Sequence, residues 1–220
     1  MAVHTTGRII KGPWLASTRD QSGHLSLIKR DGTVLETFTD YESVITYRER
    51  EELGEEWILQ DTREEPSEKD RMMLLGMIAR DHLKPIWRRA QFDRLLHGEI
   101  ARIPNVACEG LHDPSTAVIE LALHEAGHTG WAASYGQVAR PEGTIFHAWI
   151  EHENGTIVDF MADRFLRCPV SIVSPQERDE CGYGGNRSLL DFEPDAWLLD
   201  LPQKIEEVFP LEEGAPEFAL

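Results

Sequence analysis

The segment from Phe146 to Phe160 constrains this chain more than any other. Phe146 to His152 reads Phe-His-Ala-Trp-Ile-Glu-His, Glu153-Asn154-Gly155 carries turn chemistry, and Thr156 to Phe160 resumes an apolar, β-branched run. Asn-Gly between two such runs predicts an antiparallel hairpin, because both residues accept the backbone conformation a tight turn requires. Its strands are then neighbours, which lets the side chains of His147 and Asp159 approach across them.

The preceding sequence supplies partners for the hairpin. Trp131 to Val138 reads as a strand. Asp113-Pro114 reads as a cap and a first-turn proline, opening a helix whose apolar run extends from Ala117 to Ala126 and which Gly127 and Gly130 end. This helix, over 114 to 128, is expected at the centre of the core. Pro66-Ser67 followed by Asp70 resembles a helix start, and Met72, Leu75, Ile78 and Ala79 recur at helical spacing until Lys84-Pro85. A second helix is expected from Pro85 to Gly98, with Trp87, Ala90 and Leu95 buried, so residues 66 to 98 read as an α-hairpin. Leu25, Leu27, Ile28 and the Asp31-Gly32 turn make residues 24 to 47 strand-rich. After Arg164 the pattern loosens. Cys181 to Asn186 reads as a loop, and an acidic, Pro-containing tail begins at Asp191, with Lys204 its only basic residue and its last ten residues mobile.

Composition narrows the functional classes. At 220 residues with 41% hydrophobic content, the chain can bury a real core as one domain. Its segments are a strand-rich 1–60, an α-hairpin at 61–104, a core at 105–190 and an acidic tail at 191–220. The longest apolar stretch, Met72 to Ala79, is interrupted by Gly76 and is too short to span a bilayer, and no leader-like run follows Met1, so a soluble protein is expected. A net charge of -17 repels phosphate backbones and anionic lipid, which argues against nucleic-acid and membrane partners. Three cysteines, Cys108, Cys168 and Cys181, form no disulfide framework and suit a reducing, cytoplasmic setting.

A thiol nucleophile needs a base to take its proton and a third group to hold that base. In chain order there is a cysteine before the central helix, a histidine in one hairpin strand and an aspartate in the next. A cysteine near a helix N-terminus is also pushed toward the thiolate. This arrangement resembles the transglutaminase-like branch of the papain-like superfamily. The matching residues are His147-Ala148-Trp149-Ile150-Glu151, Gly155 and Val158-Asp159, preceded by Ala133 to Val138 in the place of the family's first core strand. The resemblance covers about residues 105 to 165. It implies an α+β papain-like fold, a central helix packed on an antiparallel sheet. It further implies a catalytic Cys108, His147 and Asp159, with no cofactor and a protein or peptide substrate. The Cys108 thiolate would attack an amide carbonyl, with oxyanion donors from its own N–H and Asn105. The thioacyl enzyme would be released by water or by an amine. The family's nucleophile sits on the first helical turn, whereas here Glu109 to Asp113 separate Cys108 from the expected cap and His112 lies closest to the helix start. Cys168 and Cys181 follow the hairpin and are poorer candidates by chain order.

Two alternatives stay open. His124-Glu125-x-x-His128 matches the pattern that places two imidazoles one helical turn apart to hold zinc, with the glutamate as general base, and Glu125 falls inside the apolar arc of the helix. The other alternative is a catalytically inactive papain-like interaction domain that keeps the fold without its nucleophile.

Overall fold

The computed structural model describes residues 25–29, 34–50, 57–61, 67–102, 108–164, 168–187 and 195–208. The expectations placed on the Asp31-Gly32 turn, Pro66, Asn105, Asp191 and the last ten residues fall outside them. The architecture is α+β, mixing helices with antiparallel sheet, in two compact units. Among the described residues no helix is long and apolar enough to cross a membrane.

The first unit comprises Met1–Arg80 and Val158–Ile172. Strands β1 (Leu25–Lys29), β2 (Val34–Phe38) and β3 (Trp57–Asp61) form an antiparallel sheet in the order β2-β1-β3. Leu25 and Leu27, two residues apart and so on one face, are fully buried. The strand-rich expectation fails beyond Phe38, because Tyr41–Arg50 is helix α1. Asp40 starts it: the Ser43 backbone N–H donates to the Asp40 carboxylate at 2.8 Å. Tyr41, Val44, Ile45 and Arg48 are then buried at helical spacing, so packing overrides the strand preference of Val44-Ile45-Thr46. Helix α2 (Glu68–Leu96) begins with the expected reciprocal cap, the Asp70 N–H donating to the Ser67 hydroxyl at 3.1 Å and the Ser67 N–H to the Asp70 carboxylate at 3.0 Å. Gly76 interrupts the apolar run because Val170 occupies the space a Cβ would take. One turn on, buried Arg80 donates to the Phe160 carbonyl at 2.8 Å and to both carboxylate oxygens of Asp163 at 3.1 and 2.8 Å.

The second unit comprises Asp81–Ile157 and Val173–Leu220. The expected α-hairpin is one continuous helix, since α2 runs through Pro85 to Leu96. An interior proline costs about 3 kcal/mol. Pro85 is exposed, while Leu83 and Trp87 on either side are fully buried. Burial of two such side chains contributes about 2–3 kcal/mol each, which outweighs the proline. The Trp87 indole also donates to the Ser115 hydroxyl at 2.7 Å.

Helix α3 (His112–Glu125) packs on the hairpin of β4 (Trp131–Arg140) and β5 (Gly143–His152). At the end of β5 the expected Asn-Gly turn is present. Asn154 accepts from the Thr156 N–H at 2.9 Å, Gly155 adopts φ 87°, and the chain enters β6 (Ile157–Asp159), which crosses the unit boundary as β7 (Ser171–Val173) does. The expected loop at 181–186 is largely strand: β8 (Tyr183–Arg187) pairs with the free side of β4. Buried Tyr183 anchors it, its ring edge-on to Trp149 at 5.1 Å and 86°. The acidic tail holds helices α4 (Asp195–Leu198) and α5 (Leu201–Val208), which pack on α3, with Leu201 and Ile205 buried one turn apart. The His82 Nε2 holds the Trp197 carbonyl at 2.6 Å.

Candidate functional site

The sequence Cys108-Glu109-Gly110 forms a turn, closed by the Leu111 N–H on the Cys108 carbonyl at 2.9 Å with Gly110 at φ 71°. Leu111 is the N-cap of α3 and makes no side-chain capping bond. Asp113 is therefore a first-turn residue, not the cap that its Asp-Pro context predicts, and His112 opens the helix. A carboxylate there complements the partial positive charge of the helix end.

The His112 ring meets His147 of β5 edge-on, with centroids 4.9 Å apart at 69°. The two are 6% and 0% exposed. Directly across from His147 on β4 stands Gly136, and across from Gly136 on β8 stands Gly185. On the β4 and β8 side of this imidazole the two registered positions thus carry no side chain. A pocket of about 180 Å³ opens here, lined by Gly110, His112, Asp113, Tyr135, Phe146 and His147 among others. Burial pushes the Asp113 carboxyl above its ordinary value, and the nearby His147 pulls it back. On the same strand as His147, Glu151 receives Arg178 at 2.5 and 3.2 Å, the Ser134 hydroxyl at 3.2 Å and the Trp149 indole at 3.3 Å. That clip fixes the end of β5 two and four residues from the imidazole.

Of the expected triad, Cys108 and His147 belong to the second unit and Asp159 to the first. Cys108 is 1% exposed, four residues before the first residue of α3, and is not among the described residues lining the pocket. Asp159 is buried, and its carboxylate accepts the Met161 N–H at 2.9 Å. The groups the structure brings together around His147 are His112 and Asp113. Sequence reasoning had His112 at the helix start but gave it and Asp113 no role beyond capping. Gly136, in the strand expected to precede the hairpin, stands opposite His147 and was the readable signal. Cys168 and Cys181 are half-buried, and burial raises both thiols above their ordinary value.

The zinc alternative loses its premise. Helix α3 ends at Glu125, and the chain reverses at Gly127 (φ 88°), with the His128 N–H donating to the Leu123 carbonyl at 2.8 Å. His128 therefore does not sit one helical turn from His124, whose Nε2 is engaged by the Trp131 carbonyl at 2.8 Å. Glu125 is exposed, so its place on the helical wheel reflects only where the helix stops. Among the described residues no group of three or more His, Cys, Asp or Glu is placed to hold a metal ion.

In comparisons with known proteins the chain matches no family model, no curated protein and no solved structure.

Proposed function

We propose that the second unit carries a thiol-dependent amide hydrolase or acyltransferase site with a papain-like, transglutaminase-like core, in which Cys108 is the nucleophile and His147 the base. One observation carries the reading: the turn bearing Cys108 runs directly into α3, whose first residue rests against the His147 ring. In this mechanism His147 takes the thiol proton as sulfur attacks an amide carbonyl. The C–N bond then breaks, and the imidazole hands its proton to the leaving amine. Water or an amine releases the thioacyl group. The substrate is a protein or peptide, no cofactor enters, and the sparse cysteines suit a reducing compartment such as the cytoplasm.

Hydroxylamine offered with peptide substrates tests this, because it intercepts a thioacyl enzyme as a hydroxamate. Hydroxamate that disappears in both Cys108→Ser and His147→Ala supports the proposal, and hydroxamate that survives Cys108→Ser removes it. A second reading, a non-catalytic interaction domain, is favoured by one observation: His112, not a thiol, occupies the first position of α3 against His147. Absence of hydroxamate from every peptide supports that reading.

A further inference from the structure

The pocket beside His147 has a wall whose chemistry goes beyond the reaction. Tyr135 of β4 and Phe146 of β5 stack nearly parallel, with ring centroids 6.1 Å apart at 7°. Phe146 is 59% exposed although apolar and large, and it stands in a strand whose next four residues are all buried. An aromatic held flat at a pocket mouth is a platform for a planar or cationic group. Among the described lining residues the only carboxylate is that of Asp113 and none is a lysine or arginine. The Arg94 guanidinium approaches Gly110 but already donates to the Gln91 side chain at 3.2 Å and the Glu109 carbonyl at 3.4 Å.

The sign of the ligand follows from these groups. An anion would benefit from the N-terminus of α3, but Asp113 already answers that partial charge from the first turn. An anion would also enter against the Asp113 carboxylate and the field of a chain carrying a net charge of -17. A cation avoids both costs, and the guanidinium of Arg94 near Gly110 is already engaged by Gln91 and the Glu109 carbonyl. The cation gains the ring quadrupole of Phe146 and a half-buried carboxylate whose lost hydration it repays.

We infer that the pocket formed by Asp113, Tyr135, Phe146 and the His112–His147 pair selects a guanidinium-bearing side chain, so that the polypeptide acted on or bound presents an arginine there. A guanidinium is planar, stacks on an aromatic face and pairs with a carboxylate through two parallel N–H groups, whereas an ammonium is a compact, strongly hydrated point charge that uses neither the flat wall nor the fork. The inference deepens the proposed function in that it names a substrate feature for the same site, but it does not depend on Cys108.

Calorimetric titration of the full chain with N-acetyl-arginine amide, its lysine analogue and its neutral citrulline analogue tests it. The arginine compound is expected to bind about 10-fold more tightly than citrulline, and more tightly than lysine. Asp113→Asn should remove the preference over citrulline, and Phe146→Ser should weaken arginine binding about fivefold with the circular dichroism spectrum unchanged. Equal affinity for arginine and citrulline overturns the inference, as does lysine binding as well as arginine, arginine preference surviving Asp113→Asn, or no binding of any of the three. Because binding is read without turnover, arginine selectivity with an inert Cys108 removes only the thiol proposal. A reactive Cys108 with no selectivity removes only this one.

Discussion

The two units bury polar side chains for different ends. In the first, the Arg80 guanidinium is met by both Asp163 oxygens and the Phe160 carbonyl, so its charge is cancelled inside the unit itself. In the second, His112 and His147 are buried just as deeply, yet the rings meet edge-on where both line a pocket open to solvent. A buried charge enclosed by partners serves the fold, and removing one partner is costly. Buried imidazoles that line a pocket can be reached from outside, which is what the proposed function requires of His147.

Substitutions can break or sharpen that contrast. Asp163→Ala takes the charge partner from the buried Arg80 guanidinium, leaving it the Phe160 carbonyl, and is expected to destabilise the chain by about 3 kcal/mol in urea unfolding. His112→Ala, which removes a ring lining a pocket and strands no charge, is expected to cost less, about 1–2 kcal/mol. Equal costs would erase the distinction between the units. Glu151→Gln should fall between them, at about 2 kcal/mol, because it leaves the partly buried Arg178 without its charge partner.

A smaller effect is expected with pH. Burial lowers His82 below its ordinary value of 6.5, with Lys204 adding to this and the Trp197 carbonyl and Asp200 opposing it. As pH falls through 6.5 the unfolded chain takes this proton before the folded one does, so stability is whole above that value and declines below it, toward the lower folded value. His82→Asn should flatten the slope of the unfolding midpoint between pH 7 and 5, roughly the window of histidine titration. An unchanged slope assigns the effect to other groups. The smallest expectation is no effect at all: EDTA should leave the melting temperature where it was, and a drop would reinstate a metal at His124 and His128.

The sequence disclosed the hairpin around Asn154-Gly155, the strand before it and the central helix, because periodicity and turn chemistry act locally there. It misplaced what tertiary packing decides. Val44-Ile45-Thr46 looks extended but turns helical once Asp40 caps α1. Pro85 looks like a break, but burial of Leu83 and Trp87 carries the helix through it. Gly184-Gly185 looks like a loop and pairs because Tyr183 docks against Trp149. At the site, His147 was readable from its motif. Its neighbours His112 and Asp113 come from the exact point at which α3 begins, and helix boundaries are the least legible feature of a sequence.

The most direct test of the central claim is the rate at which iodoacetamide alkylates each cysteine of the native chain, mapped by peptide mass. If Cys108 and His147 form a working pair, Cys108 reacts ahead of the more exposed Cys168 and Cys181, and His147→Ala slows it about 10-fold or more. Alkylation confined to Cys168 and Cys181, or a Cys108 rate indifferent to His147→Ala, would contradict it.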